Sequence, residues 1–94
     1  MKRDKLLDQA KDLVNGARAE IYGDAYDNHV RVAKLWSAIL DQEITVSQVY
    51  QCLIALKLAR LSVTPTHTDS WVDLAGYASL GGEIKDGLKS KNVT

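Results

Sequence analysis

An all-α fold, a compact four-helix core assembled as an oligomer, is predicted by three features of the sequence. Every long segment repeats its apolar residues near the helical period. One proline, six glycines and no Phe leave little that favours strands as the main element. Thr45-Val46-Ser47-Gln48 has the Thr-x-x-Gln form of a capping box, a helix-start signal. Ninety-four residues that are 46% hydrophobic make one domain with a modest core. A fold this short gains stability by self-association, so a homo-oligomer (dimer, tetramer or higher) is expected. The expected division is a single helical domain over 1–82 and a mobile C-terminal tail over 83–94.

The first helix is expected from about Asp4 to Ile21, with Leu6, Ala10, Leu13, Val14, Ala17 and Ile21 as its apolar stripe. Gly16 weakens it and suggests a tight crossing by another backbone. Glu20 to His29 then breaks the pattern: Gly23 fits a helix C-cap, and Asp24 or Asp27 starts the next helix. The second helix covers about Asp27 to Leu40 and is apolar on most sides, as a helix central to a bundle or buried in an oligomer would be. After the loop 41–44 the third helix runs from about Val46 to Leu61. Val49, Leu53, Leu56 and Leu61, with Val46, Tyr50, Ile54 and Leu58, are expected to bury two adjoining faces, and Cys52 to be a buried small hydrophobe. Pro65 stops that helix, and Thr68 is the expected N-cap of the fourth. There Asp69, Asp73 and Tyr77, at i, i+4 and i+8, form a polar stripe, with Trp71, Leu74 and Ala78 on a separate apolar face. From Gly81-Gly82 onward the period is lost and the chain is expected to fray.

Composition narrows the function. Twelve basic and twelve acidic residues give formal neutrality, with a pI near 6.7, which argues against a duplex nucleic-acid binder. No apolar run approaches a membrane span, and the start is not a secretory signal, so a cytoplasmic protein with no membrane contact is expected. One Cys and two distant His support neither a zinc site nor a catalytic triad. His67, between two threonines, is read as exposed or capping.

The chemistry-bearing side chains fall in two places. At the junction before the second helix, Tyr22 or Tyr26 could stack a base, while Glu20, Asp24 or Asn28 faces phosphate or metal; the plain structural reading is a solvated turn with capping acids. Arg31 and Lys34 share a helix face near His29, an arrangement that binds phosphate or forms salt bridges. The short connection makes the third and fourth helices antiparallel, so Lys57 and Arg60 meet Asp69 and Asp73. Arg60 with Asp69 or Asp73, and Lys57 nearby, is the expected ion-paired arrangement, and the same geometry would place a metal or phosphate between them.

Tyr22-Gly23 followed by Asn28-His29, Lys57-Leu58-Ala59-Arg60 closing a helix, and Asp69-Ser70-Trp71-Val72-Asp73-Leu74-Ala75-Gly76-Tyr77 span most of residues 18–80. In these motifs the chain resembles the all-α NTP pyrophosphohydrolase (MazG-like) superfamily, and within it small phage-encoded and nucleotide-modification-associated members. The resemblance implies a four-helix core, obligate oligomerisation and a nucleotide site at the helix ends, usually with Mg²⁺. It departs from the active enzymes in its acids. Those enzymes carry a Glu-x-x-Glu pair on one helix and a Glu-x-x-Asp pair on the next. Here the later helix offers Asp69 and Asp73 at i, i+4, and Val30 to Leu40 of the earlier one contains no acid. Three functions follow. The first is a nucleotide-binding oligomer, acting as a phage sponge for a nucleotide signal, with Tyr22, Tyr26, Asn28, His29, Arg31, Lys34, Lys57, Arg60 and Tyr77 on the ligand. The second is a Mg²⁺-dependent pyrophosphohydrolase with Asp69, Asp73 and one or two of Glu20, Asp24 and Asp27 as metal ligands. The third is a structural or protein-interaction module.

Overall fold

The computed structural model describes residues 1–16 and 24–87. They form four helices and no strand: α1 Arg3–Asn15, α2 Ala25–Leu40, α3 Val46–Val63 and α4 Thr68–Gly87. The principal packing runs in a row, α1 against α4, α4 against α3 and α3 against α2.

The helix starts are set by local chemistry. Asp24 caps α2, its carboxylate accepting from the Asp27 N–H at 3.2 Å. The capping box of α3 is complete: Thr45 Oγ1 accepts from Gln48 N–H at 3.1 Å, and Gln48 Oε1 accepts from Thr45 N–H at 2.9 Å. Before α4 the capping acceptor is the ring of His67, not Thr68, which is already helical. His67 Nδ1 takes the Ser70 N–H at 3.3 Å and lies 2.7 Å from Ser70 Oγ. Between α2 and α3 the chain turns on Asp41, in the left-handed region at φ 51°, and Ser37 Oγ holds the loop by accepting from Ile44 N–H at 2.8 Å.

The core lies at the N-terminal half of α3. Tyr50, Leu80 and Ile84 form its buried centre, with Val14, Ala25, Tyr26, Val46, Leu53 and Tyr77 packed around them. Ile84 is therefore buried, and α4 continues through Gly81 and Gly82 to Gly87, where the sequence pattern suggested fraying. Packing overrides the cost of two glycines there, because α4 has helices on two sides. Residues 88–94 lie outside the described residues.

Several sequence expectations are corrected. The α1 helix ends at Asn15 with Gly16 as its C-cap, and its expected continuation to Ile21 lies outside the described residues. The tight place between helices is at Gly76 instead, where an added Cβ would stand 3.2 Å from the Val14 side chain and 3.7 Å from that of Leu13. Trp71 and Ala78 are exposed, and α4 buries Ser70, Val72, Gly76, Leu80 and Ile84 in their place. Cys52, Leu56 and Leu58 are also exposed, because α2 and α4 cover only part of the circumference of α3.

The glycines of α4 are not equivalent. A Cβ on Gly82 would meet nothing within 4 Å. Gly82→Ala is therefore expected to stabilise the fold by about 0.5–1 kcal/mol, the backbone-entropy advantage of alanine inside a helix. Thermal denaturation would show this as a rise of a few degrees; an unchanged or lower Tm would mean that position 82 is not open helix surface.

Candidate functional site

Two polar groupings line the contact of α3 with α4. Toward the C-terminus of α3, Lys57 lies in line with Tyr50 and Leu61, two turns and one turn away, and this is the stripe that meets α4. Its ammonium meets Asp73 Oδ2 at 2.8 Å, with the lysine side chain 10% exposed and the aspartate 29%. Arg60, expected to take this aspartate, is three residues on and exposed, as is Asp69; among the described residues no ion pair joins them to each other or to this pair. One residue of helical phase separates Arg60 from the buried Leu61, and that step of 100° turns it to solvent. The seam thus buries one cation against one carboxylate.

The second grouping lies around the core. His29 from α2, Tyr50 from α3 and Tyr77 from α4 bring their rings together edge to face, His29 to Tyr50 at 4.8 Å and His29 to Tyr77 at 6.0 Å between centroids. His29 Nδ1 and Tyr50 Oη are hydrogen-bonded at 3.1 Å. Tyr26 packs on the same core. Burial raises the Tyr50 phenol well above its ordinary value, and the negative ends of Tyr26, Asp24 and Glu83 push it the same way, so it stays protonated. Burial lowers His29 below the usual imidazole value, opposed by a weaker contact with the Ala25 backbone.

The shift of His29 carries a sign for stability. The unfolded ring gains its proton near the ordinary value of 6.5, while the folded ring resists it to lower pH. The contribution is complete above pH 6.5 and is lost as pH falls through that value toward the lower folded one. Urea midpoints for the wild type and His29→Gln, measured from pH 8 to about pH 5, should converge or cross as the pH falls. Parallel curves would show that the ring titrates freely in the folded state.

Beside this corner is a cavity of about 340 Å³ between α1 and α4, with Leu7, Ala10 and Val14 on one wall, Ala75 and Leu80 on the other, and Lys11, Asn15, Ser79 and Glu83 as its polar members. Leu80 and Glu83 belong to both places: Leu80 packs on Tyr50, and Glu83 acts on the Tyr50 hydroxyl. The sequence reading missed Lys11, Asn15, Ser79 and Glu83. Their only signal was spacing, Lys11/Asn15 and Ser79/Glu83 each at i, i+4, which any solvated helix face also shows.

Of the predicted site residues, Tyr26, His29 and Tyr77 come together, and Asp24 lies close enough to act on the phenol at their centre. Asn28 is half-buried on α2. Arg31 and Lys34 are exposed and, at 100° per residue, sit 160° and 140° round α2 from His29, so they do not share its corner. Lys57 is held by Asp73, and Arg60 lies apart. Glu20 and Tyr22 lie outside the described residues. Among the described residues no three or more His, Cys, Asp or Glu side chains gather to hold a metal; Asp24 caps α2 and Asp73 pairs with Lys57. No helix among the described residues is long and apolar enough to cross a membrane.

Comparison with known proteins places the chain among phage relatives. It is 43% identical over 76 residues to the Gene 55 protein of Mycobacterium phage L5, covering 80% of this chain and 49% of that protein. It is 37% identical over 75 residues to the Gene 55 protein of Mycobacterium phage D29, covering 80% of this chain and 50% of the relative. The chain thus spans about half the length of these curated relatives. No solved structure matches it. Residues 5–85 match the family model described as a domain of unknown function, DUF6378, and the chain belongs to that family.

Proposed function

We propose that this chain is a phage-encoded nucleotide-binding protein that acts as a homo-oligomer and holds its ligand without turning it over. The observation that carries the reading is the convergence of Tyr26, His29 and Tyr77 on the buried Tyr50, beside a cavity of nucleoside size. Aromatic and imidazole edges suit the flat face and polar rim of a base. Lys11, at the cavity, supplies the cation on that side of the molecule, a role that the sequence had suggested for Arg31, Lys34, Lys57 and Arg60. The MazG-like motifs over residues 18–80 and the two phage relatives are consistent with this reading.

Binding is favoured over hydrolysis by the state of the carboxylates. Asp73, half of the expected metal pair, is already neutralised by a lysine 2.8 Å away. Mg²⁺ enters this reading only as the counter-ion that a nucleotide brings with it.

The test is incubation of the purified protein with linear and cyclic nucleotides, with and without Mg²⁺, followed by heat release and product analysis. Intact nucleotide should be recovered. Tyr77→Ala should weaken retention about tenfold or more, as expected for loss of one stacking platform. Cleaved product would favour the pyrophosphohydrolase. No retention of any nucleotide would overturn the reading in favour of a protein-interaction module.

A further inference from the structure

The α3 helix has the sequence of a central helix, with aliphatic residues on all sides, yet among the described residues its principal packing is against α4 and α2 alone. Cys52, Leu56, Ala59 and Val63 recur at spacings of four, three and four residues down its outer side, and all are exposed, Val63 at 83%. On α2, Leu35 and Ile39 stand one turn apart, 62% and 77% exposed. No charged residue falls within either stripe, and the bordering charges are mixed in sign: Lys34 and Arg60 against Asp41 and Glu43.

We infer that these two stripes are the two halves of one self-complementary interface, through which a second copy of the chain binds with two-fold symmetry. The residue sizes fit this occupant. The ridge on α2 is made of two large side chains, and the outer line of α3 alternates them with small seats at Cys52 and Ala59. A two-fold axis lays the ridge of each copy on the seats of the other, so the same patch supplies both halves of the fit. Together the stripes expose on the order of 600 Å² of apolar side chain per copy, near the roughly 800 Å² per partner of a standard specific interface. The formal net charge of zero sets up no overall repulsion between copies. The inference deepens the homo-oligomer part of the proposed function, naming its face, and does not depend on nucleotide binding.

The test measures mass in solution by analytical ultracentrifugation at tens of micromolar, with nucleotide absent. The wild type should sediment with the mass of two chains or a multiple of it. The double variant Leu35→Glu/Ile39→Glu should fall to one chain while keeping its helical circular dichroism. Ala59→Arg, which fills a seat from the other half, should do the same and decides the matter if the double variant does not fold. Maleimide should react with Cys52 several-fold more slowly in the wild type than in Ala59→Arg. A one-chain mass for the wild type would overturn both this inference and the homo-oligomer reading. An oligomer that survives the variants, or equal Cys52 reactivity, would overturn this face alone. Nucleotide retention is scored separately, so its failure cannot be mistaken for either.

Discussion

Asp73→Ala is expected to lower the unfolding free energy by about 2–3 kcal/mol, equivalent to roughly 10–20 °C in Tm for a domain of this size. The Lys57 ammonium is 2.8 Å from Asp73 and buried between α3 and α4. Removing the carboxylate leaves a largely buried lysine that has lost its counter-charge. The effect should be asymmetric. Asp73 is 29% exposed, so when Lys57 is removed the abandoned carboxylate still reaches solvent. Lys57→Met should therefore cost less, on the order of 1 kcal/mol, since its aliphatic stem is replaced in kind. Lys57→Met/Asp73→Leu should recover most of the loss from Asp73→Ala, because a buried pair and a packed apolar pair are close in free energy. Urea denaturation of the four proteins measures these differences. An Asp73→Ala cost no greater than the 0–1 kcal/mol typical of an exposed pair would show that the lysine swings out to water. Recovery of stability by added Mg²⁺ in the wild type alone would return Asp73 to the role of a metal ligand.

This pair also shows how far the sequence could be read. The antiparallel contact of α3 and α4 followed from a connection too short for any other arrangement, and both acids and both bases were placed at the right end. What sequence could not settle was the rotation of each helix about its axis. Rotation decides that Lys57 turns inward and Arg60 outward, and it is fixed by volumes packed across the whole seam. On an amphipathic helix the apolar stripe reveals the rotation; α3 and α4 have no single apolar side, so the signal is absent. The same ambiguity misplaced Trp71, whose indole N–H instead donates to the Pro65 carbonyl at 2.9 Å, and Cys52, which faces outward.

Where a residue acts through its own backbone, the reading was closer. The Thr45–Gln48 capping box and the loop at 41–44 depend on neighbours within a few positions and were legible; the start of α2 was left between Asp24 and Asp27, and the cap of α4 fell one residue before the expected Thr68. The candidate site divides along the same line. Tyr26 and His29 stood out as residue types at a helix entry, and Tyr77 as the end of the Asp69–Asp73 stripe. Their partner Tyr50, reached across 21 residues of chain, read only as one more apolar position of α3. The cavity is formed by α1 and α4, the first and last helices, and nothing local to either marks it.

Tyr50→Ala should be the most damaging single change in the chain, at about 3–5 kcal/mol, the range for truncating a large buried aromatic. Tyr50 is 1% exposed and forms the centre of the core with Leu80 and Ile84. It also packs on α4 beside Gly81, where an added Cβ would stand 3.5 Å from its Cβ, in ordinary contact. With total stability on the order of 5–15 kcal/mol for a natural domain, that loss would unfold a measurable share of the protein on modest warming. Tyr50→Phe separates the two roles of the ring. It keeps the packing and removes the bond to His29, so the cost should fall to about 1 kcal/mol. If the proposed nucleotide-binding reading holds, the phenylalanine variant should also retain nucleotide, since the hydroxyl is enclosed and that reading places the ligand on Tyr77 and His29. Chemical denaturation and ligand retention on the same two variants make the comparison. A Tyr50→Phe protein as unstable as Tyr50→Ala would mean that the hydrogen bond, not the packed ring, holds α2 against α3. A Tyr50→Phe protein that is stable but retains no nucleotide, where the wild type does, would move the proposed ligand from the rim of the corner to its centre.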